Sequence, residues 1–377
     1  MTEASIIAIK MPKWGLSMSE GKVGDWLVEV GKEINIGDEI LEVETDKIAS
    51  SVEATDGGVL RRQLGQFDEV LPVGGLLGVM ADSSVSDGDI DAFIEEFQAN
   101  FVPEESGEDG DAGNAYAKIN IGGRDIRYVQ QGDGEQNVVL IHGFGGDIDN
   151  WLFNLGDLSA KATVYALDLP GHGQSSKEVG DGSLETLAQC VVDFMDELDI
   201  TKAHLVGHSM GGAIAQQIAI DHPDRVASLG LICSAGLGDE INQDYIDGFT
   251  HANSRREVKP HLQKLFADES LVTRQIIDDI LKYKRLDGVE QALQTIGTAH
   301  FAGGKQQSVS ADQTATLNIP VLAISGEADQ IIPAAHTENA PQSIETKVID
   351  GAGHMVQMEA AGEVNKMLIE LIQRGSG

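Results

Sequence analysis

The chain has little cysteine, little positive charge and no long apolar run. Its 377 residues include two cysteines, Cys190 and Cys233. Both sit among apolar neighbours, so no disulfide framework is expected and a reducing compartment fits. Lys and Arg number 26 against 61 Asp and Glu, a formal net charge of −35. A surface of that sign repels the phosphates of nucleic acid and of anionic membrane, which excludes both as partners. No apolar run reaches the ~18 residues that a membrane helix needs. Met1-Thr2-Glu3-Ala4-Ser5 carries no basic region ahead of an apolar core, so no secretory signal is expected and the cytoplasm is the expected location.

Against these absences, one stretch stands out. Leu205-Val206-Gly207-His208-Ser209-Met210-Gly211-Gly212 joins an apolar run to a helix former's run, Ala213-Ile214-Ala215-Gln216-Gln217. Strand, abrupt Gly-x-Ser-x-Gly turn and helix together form the setting of a nucleophile elbow. Ser209 is the candidate nucleophile, and the N–H of Met210 is expected to face an oxyanion.

From residue 114 to 374, near-continuous apolar runs alternate with helical pattern. After a Gly122-Gly123 turn between Ala115–Ile121 and Asp125–Gln130, the runs are Asn137–Ile141, Ala162–Leu167, Ala203–Val206, Val226–Ile232, Pro320–Ser325 and Glu345–Ile349. This predicts a mostly parallel sheet covered on both faces. Residues 236 to 312 break the rhythm and read as a helical cap, with Leu262, Leu265 and Phe266, then Ile276, Ile277, Ile280 and Leu281, as apolar stripes.

A serine nucleophile needs a base and a carboxylate that fixes the base's tautomer. Asp329 and His354 each lie just past a predicted strand, and the order Ser209, Asp329, His354 suits such a fold. Glu327 is the rival carboxylate, and His208 is read as structural. These motifs resemble the α/β-hydrolase superfamily. The resemblance implies that His142-Gly143-Phe144-Gly145-Gly146 is the oxyanion loop, with the Phe144 N–H joining that of Met210. It also makes Asp168 and His172, in Asp168-Leu169-Pro170-Gly171-His172-Gly173-Gln174-Ser175, structural.

Residues 1 to 81 repeat at an offset of 37: Gly21, Val23, Leu27, Ile34, Gly37, Ile40 and Val43 fall on Gly58, Leu60, Leu64, Leu71, Gly74, Leu77 and Met80. Short apolar alternation broken by glycine predicts two small sheets that bury their faces on each other, an all-β sandwich or barrel. Lys47, in Glu44-Thr45-Asp46-Lys47, is expected to protrude at the junction of the two copies. With Met11-Pro12-Lys13-Trp14-Gly15, Glu20-Gly21 and Gly37-Asp38, the segment resembles the lipoyl domains of 2-oxo-acid dehydrogenase complexes. That implies lipoate in amide linkage on Lys47.

Residues 82 to 113 hold eleven Asp or Glu and no Lys or Arg. They read as an acidic linker with one short amphipathic helix, in which Ile90, Phe93, Ile94 and Phe97 form a stripe. The basic subunit-binding module common after lipoyl domains is missing.

Lipoyl domain, linker and hydrolase-like domain together resemble the acyltransferase components of bacterial acetoin dehydrogenase complexes. The resemblance implies transfer of an acetyl group from the lipoyl arm to coenzyme A. It also implies two partners, a thiamine-diphosphate-dependent dehydrogenase and a dihydrolipoyl dehydrogenase. The His-x-x-x-Asp-Gly sequence of the usual acyltransferase fold is absent, so transfer on this chain has to use the triad. The alternatives are an ester or thioester hydrolase tethered by its lipoyl domain, and a non-catalytic scaffold. Nine Lys or Arg fall in the cap, including Arg255, Arg256, Lys259 and Lys264; they suit coenzyme A phosphates or ordinary solvated helix faces equally. Intact-mass measurement of the protein from a lipoate-competent host is expected to show one lipoyl amide on Lys47, and an unmodified lysine would remove the carrier reading.

Overall fold

The computed structural model describes residues 6–12, 20–44, 49–54, 56–82, 84–101 and 116–375. Lys47 lies outside the described residues. The chain divides into two compact units, Met1–Asp111 and Ala112–Gly377. No helix among the described residues is long and apolar enough to cross a membrane.

In the first unit the strands are β1 (Ile6–Lys10), β2 (Glu20–Trp26), β3 (Glu33–Ile34), β4 (Glu39–Glu44), β5 (Ala49–Glu53), β6 (Gly58–Gln63), β7 (Val70–Pro72) and β8 (Leu76–Ala81). They form two four-stranded sheets, ordered β1-β8-β6-β3 and β5-β4-β2-β7. The repeat explains the pairing: β2, β3 and β4 recur as β6, β7 and β8, so the two sheets have the same order built from exchanged copies. Val23, Ile34, Ile40, Leu41 and Val43 meet Leu60, Leu77 and Met80 between them. β4 and β5 pair antiparallel, with Glu44 opposite Ala49.

The two copies differ in one respect that decides where the next element goes. β4 alternates, with Glu39, Glu42 and Glu44 exposed. Its counterpart β8 has Leu76, Val79 and Ala81 at those places and is buried throughout. A strand apolar on both faces needs a second cover. Helix α1 (Asp87–Asn100) supplies it, laying Ile90, Phe93, Ile94 and Phe97 over Leu76, Val79 and Ala81. Ser86 caps the helix by accepting the Asp89 N–H. Arg61 donates to the carbonyls of Asp82 and Val85, and Arg62 pairs with Asp91 at 2.9 Å. The amphipathic helix read from residues 82–113 thus packs on the β sandwich.

In the second unit the strands are β9 (Ala117–Ile121), β10 (Arg124–Gln131), β11 (Asn137–Ile141), β12 (Thr163–Leu167), β13 (Ala203–His208), β14 (Val226–Ile232), the short hairpin β15 (Phe301–Ala302) and β16 (Lys305–Gln306), then β17 (Val321–Gly326) and β18 (Glu345–Ile349). The main sheet has the order β18-β17-β14-β13-β11-β12-β10-β9. β10 runs antiparallel to its two neighbours and the other pairs are parallel. Each of these runs becomes a strand: β12, β13, β14 and β17 are buried throughout, as central parallel strands covered on both faces are, while the edge strand β18 is exposed along most of its length. Flanking helices include α2 (Leu152–Ser159), α3 (Leu184–Glu197) and α4 (Met210–Asp221).

Between β14 and β17 stand α5 (Gln243–His251), α6 (Arg255–Gln263), α7 (Arg274–Lys284) and α8 (Val289–His300). Their apolar stripes join the main core: Leu262, Phe266, Ile277 and Leu281 are buried. Both ends of this insertion are held by one buried amide. Gln216 of α4 donates to the Ala235 carbonyl at 2.8 Å and accepts from Ser310 and Thr314 at 3.0 and 3.1 Å. The ends also meet directly, Ser310 N–H donating to the Gly236 carbonyl at 2.8 Å.

Histidines 142, 172, 208 and 300 are all buried. Burial first of all pushes their pKa values down, to about 4 for His142 and His300 and about 3 for His208. Below the ordinary histidine value near 6.5 the unfolded chain takes up these protons and the folded chain does not. Stability of the second unit is therefore expected to fall as pH drops from about 6.5 to 4, by up to roughly 1.4 kcal/mol per histidine per pH unit. Urea midpoints across that range check it. In the first unit, Ile90→Ala is expected to cost about 2–5 kcal/mol and to speed hydrogen exchange of α1 more than that of β2 and β4.

Candidate active site

β13 ends and α4 begins at a single residue. Ser209 has φ +54° and ψ −120°, a conformation that a side chain adopts only when its surroundings force it. The surroundings are backbone at contact distance. A Cβ on Gly207 would lie 2.2 Å from the Gly211 carbonyl oxygen, and one on Gly211 2.1 Å from the Ile141 carbonyl oxygen. The two glycines of Gly-x-Ser-x-Gly are thus required by close approach. The Ser209 N–H donates to Ile232, and its carbonyl accepts from Gly212 and Ala235, so the turn is fixed on three sides. Ser209 is 5 % exposed.

Met210 opens α4, where an N–H has no intrahelical acceptor. The loop after β11 comes within contact of the serine: a Cβ on Gly143 would stand 2.8 Å from the Ser209 Cβ. Neither the Phe144 nor the Met210 N–H donates to a backbone carbonyl among the described residues. His142 holds the loop, accepting the Leu169 N–H at Nε2 (2.9 Å) and placing Nδ1 2.7 Å from the Gly143 carbonyl. Kept neutral by burial, its ring has one proton, which belongs to Nδ1. The Phe144 ring packs against Phe249 and Phe301 of the insertion, with centroids 6.2 and 6.1 Å away.

Asp329 follows β17 and His354 follows β18. His354 Nδ1 lies 2.8 Å from Asp329 Oδ2. Asp329 Oδ1 accepts the N–H groups of Ile331 and Ile332 at 2.8 and 3.0 Å. The side chains of His354 and Asp329 are buried, 3 % and 0 % exposed. The rival Glu327 is exposed and reaches back to the Gly351 N–H. Strand order accounts for the meeting: the carboxyl ends of β13, β14, β17 and β18 stand side by side.

Asp168 and His172 serve the framework. Asp168 pairs with Arg127 at 2.8 Å and accepts the N–H groups of Ile148 and Gln174. His172 rests edge-on against His142 and Phe144. Of the cap's basic residues, Arg255 pairs with Asp278 and Lys282 with Asp279, while Lys284 donates to the Phe249 and Thr250 carbonyls.

Two residues beside the pair lay outside the sequence reading of the site. His208, read as structural, has Nε2 2.9 Å from the His354 carbonyl oxygen and its ring 4.8 Å from the His354 ring. Cys233 lies at the end of β14, between β13 and β17. The signal available was topological: residues just past the carboxyl ends of neighbouring parallel strands converge.

A family profile described as the alpha/beta hydrolase fold matches residues 136–361, and one described as biotin-requiring enzyme, of the biotin/lipoyl type, matches residues 7–80. The dihydrolipoyllysine-residue acetyltransferase component of the acetoin cleaving system of Cupriavidus necator is 50% identical, covering 97% of this chain and 96% of that one. The component of the same name from Pseudomonas putida is 49% identical over 98% of this chain and all of its own length. A meta-cleavage product hydrolase from Pseudomonas fluorescens superposes with a TM-score of 0.62 at 24% identity, covering 68% of this chain and 97% of that one, which shows the shared fold. Two domains in this order and near-full-length identity to those relatives settle descent: the chain belongs to the family of dihydrolipoyllysine-residue acetyltransferase components of acetoin cleaving systems.

Proposed function

We propose that this protein transfers an acetyl group from a lipoyl thioester to coenzyme A, with Ser209 as nucleophile, His354 as base and Asp329 as its orienting carboxylate. The observation that carries this reading is the 2.8 Å contact between His354 Nδ1 and Asp329, at the same sheet edge as the positive-φ turn of Ser209. A carboxylate on Nδ1 selects the tautomer whose Nε2 is free to take a proton.

Lys47 is the proposed point of lipoate attachment; when bound, the lipoyl group supplies an acyl thioester and a thiol leaving group. Ser209 Oγ attacks the thioester carbonyl while His354 Nε2 takes its proton. The N–H groups of Phe144 and Met210 receive the charge that develops on the carbonyl oxygen. As the carbon–sulfur bond breaks, His354 returns the proton to the departing thiol, leaving an acetyl ester on Ser209. His354 then deprotonates the coenzyme A thiol, which attacks that ester; the carbon–oxygen bond breaks and Ser209 regains its proton. The Phe249 and Phe301 rings over the Phe144 loop exclude water, which would otherwise hydrolyse the ester.

The partners proposed are a thiamine-diphosphate-dependent dehydrogenase that loads the acetyl group and a dihydrolipoyl dehydrogenase that reoxidises the arm. The proposed setting is the cytoplasm, where two buried free thiols persist.

Incubation with acetyl-dihydrolipoamide, with and without coenzyme A, is expected to give acetyl-coenzyme A in the first case and little acetate in the second. Free acetate at the same rate in both would make the protein a hydrolase, and no turnover a scaffold. Ser209→Ala and Asp329→Asn are each expected to lower kcat roughly ten-thousand-fold.

A further inference from the structure

Cys233 takes no part in the transfer set out above, yet it touches its machinery. It follows the last residue of β14 with φ +41°, a conformation rare outside glycine. It is fully buried. Its N–H donates to the Ile324 carbonyl at 2.7 Å, which holds it against β17, the strand that leads to Asp329. Its Sγ lies 3.7 Å from the Gly353 carbonyl oxygen, one residue before His354. The sulfur, an Asp329 carboxylate oxygen and a His354 ring nitrogen all lie within 4.8 Å of one another.

A carboxylate offers about four acceptor positions. Ile331, Ile332 and His354 occupy three of those on Asp329. We propose that Cys233 is a positioning residue whose S–H donates to the remaining lone pair of Asp329, and so sets how much negative charge that carboxylate holds against His354. The thiol keeps its proton: burial first, and then the Asp329 charge, pushes it well above its usual range. As a weak donor, it satisfies the buried oxygen while leaving charge for the imidazolium that forms during transfer. The Gly353 carbonyl is the competing acceptor for the same proton.

The other titratable groups that face this pair come from separate elements. The His208 ring lies 4.8 Å from that of His354, tilted by 55°, and is held neutral by burial, with its pKa down to about 3. Glu359 accepts the N–H groups of Gly353 and Ala267 at 2.8 and 2.7 Å. His336 lies within electrostatic reach of Asp329. The sulfur atom is what the following variants change.

The inference rests on the triad reading, and the test separates the two. The full-length lipoylated protein is held at about pH 8 and jumped to a series of pH values, and the initial rate of p-nitrophenyl acetate cleavage is read. The acid limb of that profile reports protonation of the essential base. Cys233→Ala removes a donor from Asp329, leaves more charge facing the imidazole, and is expected to move the limb up by about half a pH unit. Cys233→Ser supplies a stronger donor and is expected to move it down by a similar amount. Displacement of both in the same direction, or of neither, overturns the proposal. Should Cys233→Ala fail to fold, the serine variant decides alone, and a limb at or above the wild-type position overturns it. Ser209→Ala is run alongside: turnover that survives there refutes the triad itself, whatever Cys233 does.

Discussion

The second unit depends on backbone touching backbone at the end of β13. Gly207, Gly211 and the Ile141 carbonyl approach so closely that no side chain fits between them. That contact permits the sharp exit into α4, and the exit forces Ser209 to positive φ. Strain of this kind, of order 1–3 kcal/mol, persists because the strands and helix around it are buried and over-determine the turn. The site is thus held by packing and by three backbone hydrogen bonds at Ser209.

Charge is handled on the same principle. His142, His172 and His208 surround the serine and its partners, and burial keeps each of them neutral. A neutral imidazole with one ring nitrogen engaged is a directional strut, whereas a charged one would compete with His354 for Asp329. The arrangement leaves His354, alone among the histidines near the serine, facing a carboxylate.

Much of this was legible in the residues. The runs from Asn137 to Ile141 and Val226 to Ile232 become strands with those bounds, because apolar side chains on both faces admit few other conformations. Asp329 and His354 were legible as residues just past strand ends. What the residues left open was neighbourhood. His208 alternates away from Ser209 along its own strand, yet it meets the His354 backbone, a contact across the sheet edge that one-dimensional periodicity does not carry. In the first unit, the cover on β8 was written in the repeat itself: Leu76, Val79 and Ala81 stand where the earlier copy has Glu39, Glu42 and Glu44. A copy that has lost its alternation states that something lies upon it.

Gln216 bears on the insertion as well. Its one side chain grips the departing and returning ends of the segment between β14 and β17, and those ends also bond to each other. The sheet therefore closes beneath the insertion as if nothing had been spliced there. Such a junction behaves as a socket: because the insertion leaves and returns at one point, its length can vary without shifting the register of β14 against β17.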